Sequence, residues 1–149
     1  MPQPENIPDD DFVSRLLFDP SMRNEDRDLI WPAIFQFPSD QGQCESVIWR
    51  GKVASIAEVH TLGCAKQVSD RSKGRSKSTY FGAITGNVGT VRALRSATGK
   101  FFEVVHKPDE GEEHAHMTFS AGTSKNDRNS LKLLLNSAFG PLEPHACPE

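Results

Sequence analysis

Residues 114–140 read HAHMTFSAGTSKNDRNSLKLLLNSAFG, and this stretch decides the fold class. Apolar and polar side chains alternate through 114–120, which is the pattern of a strand with one buried face. Residues 124–140 instead predict a helix, because Ser124 can cap its first turn with Asp127 at the third position. The apolar face and the end of this helix are formed by Leu131, Leu134, Leu135, Ala138 and the pair Gly140-Pro141. We expect this amphipathic helix to pack on the sheet that contains the strand.

The rest of the chain contains apolar runs that are bounded by turn residues. We predict strands over PAIFQF (32–37) and SVIWR (46–50), and further strands around 79–85, 88–95 and 101–106. The run 88–95 also fits the helical period, but its β-branched content favours a strand. Short turns between successive strands are typical of an antiparallel meander.

Two other segments have amphipathic patterns. DDDFVSRLLF (9–18) predicts either a helical turn or a strand, and Pro20 is placed to end it. ASIAEVHTLG (54–63) predicts a short helix, because Ser55 begins an S-x-x-E capping box and Gly63 is placed to end the helix.

Several strands in succession, with few helices and no regular alternation of the two, predict an α+β fold. We expect a mainly antiparallel sheet of about five strands, with the C-terminal amphipathic helix packed on one face and one or two short helices. The length of the chain suits one domain. The predicted division is a flexible lead over residues 1–10, a single domain over 11–140 and an irregular tail over 141–149.

The start of the chain bears on its location. MPQPENIPDDDF is acidic and rich in proline, whereas a secretory signal is basic and then apolar. No apolar run approaches the roughly 20 residues that span a bilayer. We therefore expect a small cytoplasmic protein of bacterial type that has no membrane partner.

The three cysteines, Cys44, Cys64 and Cys147, are widely spaced, and no Cys-x-x-Cys pair is present. This spacing predicts neither a disulfide framework nor a thiolate zinc knuckle. We expect free, partly buried thiols.

The charge of the chain is unevenly distributed. KQVSDRSKGRSK (66–77), hereafter the basic segment, carries five cations against Asp70, a net charge of +4, and the whole chain has −3, which leaves −7 for the remainder. The cations are Lys66, Arg71, Lys73, Arg75 and Lys77. We expect a solvated loop whose cations neutralise phosphates without sequence discrimination, with Tyr80 beyond it as a stacking surface.

The strand at 114–120 places His114, His116 and Thr118 on its polar face. The letters HMTF at 116–119 resemble the His-apolar-Thr-apolar motif that two-histidine phosphoesterases carry twice. In that family each histidine is a general acid or base and each Thr or Ser holds the phosphate, so the resemblance implies these roles for His116 and Thr118. No other histidine of the chain begins a second copy of the motif.

Two other chemistries use the same histidines. RNA cleavage through the 2′-hydroxyl requires a histidine and a cation on the phosphate, for which the chain offers His114 or His116 with Lys73, Arg75 or Arg92. A tetrahedral zinc set is a further alternative, formed by His114, His116, His145 and Cys147. These residues lack the ligand separations of zinc modules, so we predict no metal and no cofactor.

The sequence contains no complete catalytic set, and it lacks the glycine patterns of nucleotide-binding loops and the G-x-S-x-G elbow. We therefore expect a binding or accessory subunit that docks to a larger protein, or to RNA or DNA phosphate, through the basic segment. The alternative is a histidine-dependent phosphodiesterase or RNase-like enzyme that uses His114 and His116, with His116 as the general acid or base.

Overall fold

A computed structural model describes residues 3–39 and 42–148. The predicted α+β class is confirmed, because these residues form one antiparallel sheet of six strands together with four α-helices. Within the described ranges, no helix combines the length and the apolar character that crossing a bilayer requires.

The strands are β1 (Phe12–Asp19), β2 (Glu45–Trp49), β3 (Thr79–Asn87), β4 (Phe102–His106), β5 (His114–Phe119) and β6 (Glu143–Pro144). The helices are α1 (Trp31–Ile34), α2 (Ile56–Ser72), α3 (Val88–Ala93) and α4 (Lys125–Ala138). Short 3-10 turns cover Arg50–Lys52 and Pro108–Glu110. The strand order across the sheet is β4-β5-β2-β1-β3-β6, with every neighbouring pair antiparallel.

Helix α4 covers one face of the sheet, as its sequence predicted. The Ser124 hydroxyl oxygen accepts a hydrogen bond of 3.1 Å from the backbone N–H of Asp127, which is the predicted N-cap. Leu131 and Leu135 are completely buried. They lie in the main core with strand residues that include Val13, Leu17, Val47, Ile84, Ala115 and Met117.

Helix α2 covers the opposite face and is longer than predicted. It continues past Gly63 to Ser72, so the prediction that Gly63 ends this helix is wrong. A Cβ atom at Gly63 would come within 2.6 Å of three ring carbons of Tyr80 on β3. The glycine therefore allows the helix to approach the strand closely. The smaller core under α2 contains Leu16, Phe18, Ile48, Val59, Tyr80 and Ala83.

The predicted strand over PAIFQF (32–37) is absent. Pro32 lies in the first turn of the short helix α1, a position that its fixed backbone angle and missing N–H suit. Phe35 and Phe37 are 2% and 4% exposed and belong to the main core. The apolar residues that suggested a strand are therefore core side chains in the connection between β1 and β2.

The prediction of a strand over 88–95 is also wrong, and the helical alternative is correct. The Asn87 side chain accepts a hydrogen bond of 2.9 Å from the backbone N–H of Thr90, which caps α3. Val88 and Val91 are completely buried, as the helical period requires. A local cap therefore outweighs the β-branched content of this run.

Both ends of the described chain contact the domain. Ile7 is 1% exposed within the main core, and the backbone N–H of Glu5 donates to Nδ1 of His106 at 3.0 Å. At the other end, β6 pairs with β3 and the following residues bring Cys147 to Cys64 on α2. These contacts attach segments whose composition indicated a lead and a tail.

Candidate functional site

The histidine row lies on β5 with the alternation that the sequence predicted. Ala115 and Met117 are completely buried, while His114, His116 and Thr118 are partly exposed on the other face. Strand β5 lies between β4 and β2, so its polar face is part of a broader surface of the sheet.

Each histidine of this row has a carboxylate neighbour from the turn that precedes β5. Nε2 of His116 lies 2.8 Å from Oε1 of Glu110, and Nε2 of His114 lies 3.5 Å from Oε1 of Glu113. Nδ1 of His114 is buried and has no hydrogen-bond partner within the described part of the chain. A carboxylate that orients an imidazole is found in acid-base sites and equally in surface ion pairs.

The structure does not bring the histidine row and the basic segment together. The row is on β5, whereas the basic segment covers the end of α2 and the turn that leads to β3. Three strand spacings separate β5 from β3, a distance of about 14 Å between strand axes. The basic segment is therefore poorly placed to hold a phosphate for His116. Arg92, the other cation of the RNase-like hypothesis, donates instead to Asp9 and to the backbone oxygens of Ile7 and Val104.

The basic segment differs from the predicted loop, because its first half is helical. Residues 66–72 form the last turns of α2, and only 73–78 lie in the turn that leads to β3. The hydrophobic pattern misses this half of the helix because its buried positions, Gln67 and Asp70, are polar. Oε1 of Gln67 accepts the backbone N–H of Tyr80 at 2.8 Å, which pairs the helix with β3.

Asp70 is the centre of a network that fixes the basic segment. Its carboxylate lies 3.4 Å from Nζ of Lys66 and 3.2 Å from Nη1 of Arg75, and it accepts the Ser78 hydroxyl at 3.2 Å. Arg71 donates from Nε to the backbone oxygen of Ser78 at 2.8 Å. The side chain of Asp70 is only 8% exposed, so these partners satisfy a carboxylate that would otherwise be buried alone.

The remaining cations of the segment project outward. Lys73 and Lys77 are exposed and make no ion pair within residues 3–39 and 42–148. Gly74 between them has a φ of +97°, the left-handed conformation that suits glycine after a helix end. The exposed charge of the segment is thus concentrated at this turn.

A cavity of about 540 Å³ adjoins the turn. Its charged lining residues are Arg15, Asp19, Lys66, Asp70, Arg75 and Lys77. Arg15 is paired with Glu45 at 3.1 Å, and burial lowers the pKa of its guanidinium from the usual value. With four cations against two carboxylates, the lining favours an anionic occupant.

Tyr80 does not offer the stacking surface that we expected. Its side chain is 1% exposed, and its ring packs against Phe18 with 5.6 Å between centroids. Its hydroxyl is 2.7 Å from Nδ1 of His60, and burial raises the pKa of this phenol far above its usual value. Tyr80 is therefore a core residue that connects β3 to α2.

The cysteines also differ from the prediction of free thiols. Cys64 on α2 and Cys147 in the tail form a disulfide that joins positions 83 residues apart, whereas Cys44 is free. His60 and His145 flank the disulfide with parallel rings whose centroids are 4.4 Å apart. Burial, and then the charge of His145, lower the pKa of His60, which favours its neutral form.

The zinc set that the sequence offered is divided by the fold. His145 and Cys147 lie against α2, whereas His114 and His116 lie on β5. On α2, His60 and Cys64 lie beside His145 and Cys147 instead, and the sequence-based prediction did not include them. The signal was the spacing of His60 and Cys64, four residues apart on a helix and therefore on one face.

A polar cluster across β1, β3 and β6 was not indicated by any sequence pattern. The hydroxyls of Ser14 and Thr85 are 2.7 Å apart, and Thr85 donates to Oε1 of Glu143 at 2.9 Å. Nη1 of Arg50 lies 3.4 Å from both hydroxyl oxygens. Glu143 belongs to β6, so the cluster helps to hold the tail on the sheet.

The buried His106 has a structural role. Its Nδ1 accepts the backbone N–H of Glu5 at 3.0 Å, and its Nε2 lies 2.8 Å from the backbone oxygen of Glu112. These contacts fix a neutral ring with the proton on Nε2. Although His106, Glu5 and Glu112 form a cluster of metal-type donors, both ring nitrogens are already engaged.

Comparison with known proteins finds no protein-family model, no curated protein and no solved structure that matches the chain. The function is therefore inferred from the chain's own geometry.

Proposed function

We propose that this protein is a small binding or accessory subunit that docks to a larger protein or nucleic-acid complex through the basic segment. The exposed turn that carries Lys73, Arg75 and Lys77 supports the proposal, because Arg75 and Lys77 line a cavity whose charges favour an anion and Lys73 is exposed on the same turn. Asp70, the one carboxylate of the segment, is already engaged by Lys66 and Arg75.

The fixed frame of the segment strengthens the proposal. Asp70, Gln67 and Arg71 hold the helix end and the start of β3, so the turn is presented from a defined base. A preorganised cationic turn loses less conformational entropy on binding than a free loop does. The structural alternative is that cations at a helix C-terminus compensate its dipole, but this effect reaches only the last turn and does not involve Lys77.

Salt dependence tests the phosphate form of this proposal. If Lys73, Arg75 and Lys77 each neutralise one phosphate, the slope of log K against log salt is about −3 on duplex DNA and about −2 on single strands. Binding to fluorescent RNA and DNA oligonucleotides is measured by anisotropy between low and physiological salt. If the partner is instead an acidic protein, binding to that protein should depend on salt, and the oligonucleotides should not be bound preferentially.

The variant Lys73→Glu, Arg75→Glu, Lys77→Glu is expected to abolish binding. Because Arg75 also pairs with the buried Asp70, its replacement should lower the melting temperature as well. The double change Lys73→Glu, Lys77→Glu should weaken binding and leave the melting temperature unchanged, since neither lysine makes an ion pair within the described residues. The matched control is Lys125→Glu, Lys132→Glu on α4, which changes the net charge equally and should retain most of the binding. Unchanged binding in the triple variant contradicts the proposal.

A histidine-dependent phosphodiesterase or RNase-like activity is the second candidate, and the observation behind it is the carboxylate of Glu110, 2.8 Å from Nε2 of His116, which can orient an acid-base imidazole. In this case His116 is the general acid or base, with His114 and Thr118 beside it. His116→Ala should then remove turnover of RNA or a cyclic nucleotide while the fold survives. If the purified protein cleaves neither substrate, this candidate is rejected.

We further propose that the protein works in the cytoplasm. Thiols are kept reduced there, so the disulfide between Cys64 and Cys147 would be formed only transiently. Whether Cys64 and Cys147 are oxidised therefore depends on the redox conditions of the compartment as well as on the fold.

A further inference from the structure

The disulfide lies among side chains that are typical metal ligands. Helix α2 contributes Cys64, and the tail after β6 contributes His145 and Cys147. The ligand atoms of these three residues all lie within 4.8 Å of one another. The fold therefore brings together two sulfur atoms that are 83 residues apart in the sequence and an imidazole nitrogen.

The distances suit a single zinc ion. With Zn–S bonds of about 2.3 Å and Zn–N bonds of about 2.0–2.1 Å, ligand atoms around a tetrahedral zinc are about 3.6–3.8 Å apart. The Cα atoms of Cys64 and Cys147 are 5.6 Å apart, so once the S–S bond is broken, side-chain rotation is sufficient to reach this separation. The backbone need not move.

The site is accessible to solvent. Cys64, His145 and Cys147 are all partly exposed. A cavity of about 540 Å³ adjoins them, and its lining includes His60, Cys64 and His145. A metal site requires such an entry path, and a fully buried structural disulfide would not provide one.

We propose that Cys64, His145 and Cys147 form a redox-controlled zinc site, in which the thiolates and the imidazole bind Zn²⁺ after the disulfide has been reduced. The fourth position is open to water. This inference goes beyond the proposed docking function, and it uses none of the residues of the basic segment.

The chemistry of the switch is balanced. A dithiol reductant transfers two electrons and two protons to the S–S bond, which yields two cysteine thiols and the oxidised, disulfide form of the reductant. Binding of Zn²⁺ then displaces both thiol protons. The resulting set of one dication, two thiolates and one neutral imidazole has no net charge, which suits a partly buried position.

The test uses the full chain in two redox states. One sample is reduced with a phosphine and desalted without oxygen, and the other keeps its disulfide. Each is titrated with Zn²⁺ in competition with a chromophoric chelator, and Co²⁺ is used as a spectroscopic probe. Reduced protein should bind one equivalent and show thiolate-to-cobalt charge transfer, and the oxidised protein should show neither.

Ligand variants identify the site. Cys64→Ser, Cys147→Ser and His145→Ala should each weaken zinc binding by more than the roughly 10–100-fold that loss of an outer-shell partner costs. Cys44→Ser and His114→Asn, which change the same residue types elsewhere, should bind as the wild type does. Circular dichroism shows which variants fold. If a variant does not fold, the comparison of zinc binding by reduced and oxidised wild-type protein tests the proposal without it.

Two results overturn the proposal. In the first, reduced wild-type protein binds zinc no more tightly than the oxidised protein. In the second, Cys64→Ser and Cys147→Ser retain wild-type affinity, which places the ion elsewhere.

Discussion

Replacement of Gly63 by alanine sets two known effects against each other. Gly63 lies in the middle of α2, where alanine is favoured over glycine by about 1 kcal/mol through helix propensity. The same methyl group would lie within 2.6 Å of Cδ1, Cε1 and Cζ of Tyr80. Propensity alone predicts stabilisation of the protein, whereas packing against β3 predicts destabilisation.

The structure indicates that the packing effect is larger. Overpacking a well-packed core costs about 1–3 kcal/mol, and three ring contacts place this substitution at the upper end of that range. The Tyr80 ring has little freedom to yield, because it is buried and its hydroxyl is hydrogen-bonded to His60. The net loss is therefore about 2 kcal/mol, which corresponds to a fall in melting temperature of about 4–8 °C.

Urea unfolding under oxidising conditions measures this loss as a lower midpoint at constant slope. The control is Thr61→Ala, an exposed position of the same helix, which should change the unfolding free energy by less than about 0.5 kcal/mol. In a Tyr80→Ala background the sign should reverse, because only the propensity term of about 1 kcal/mol remains. A Gly63→Ala protein as stable as the wild type would refute the close contact.

Two further predictions concern stability. Opening the disulfide, by reduction in chelator-containing buffer or by Cys147→Ser, should lower the unfolding free energy by up to about 4.5 kcal/mol. This is the loop-entropy value for cysteines that are 83 residues apart. Equal urea midpoints with and without reductant would contradict this prediction. Hydrogen bonds, chiefly from Thr98, lower the folded-state pKa of Asp127 below its ordinary value of 3.8. Its contribution is therefore present above that pH and lost as the pH falls through the folded pKa, and Asp127→Asn should flatten this acid dependence of urea stability.

The parts of the fold that could be predicted are those with a complete local signal. Helix α4 has a side-chain cap, an apolar stripe and a terminator within one stretch, and β5 has strict alternation. The run 88–95 was ambiguous because valine serves both periods, and the Asn87 cap decided it. The end of α2 was missed for a different reason, since its buried positions are Gln67 and Asp70, whose partners include Tyr80 on β3 and Ser78 in the turn before it.

The candidate sites were predictable only as far as they are local. The alternation through β5 was sufficient to place His114 and His116 on one face. The pairing of Cys64 with Cys147 depends on how β6 joins the edge of the sheet, and the spacing of cysteines in the sequence carries no information about that contact. The stacking role expected for Tyr80 failed likewise, because burial under α2 is a tertiary property.

Helix α2 connects the two proposed sites but need not couple them. Cys64 and Lys73 are nine residues apart, about 13 Å along a helix axis. Between them, Gln67 hydrogen-bonds Tyr80 on β3 and Asp70 hydrogen-bonds Ser78 in the turn before β3, so the basic segment keeps its frame when the disulfide opens. Reduction or zinc binding should therefore change the attachment of the tail and leave polyanion binding within about twofold, the effect of less than about 0.5 kcal/mol that is expected at independent sites. If reduction alone abolished that binding, α2 would have to move as a unit, and the anchoring assigned to Gln67 and Asp70 would be wrong.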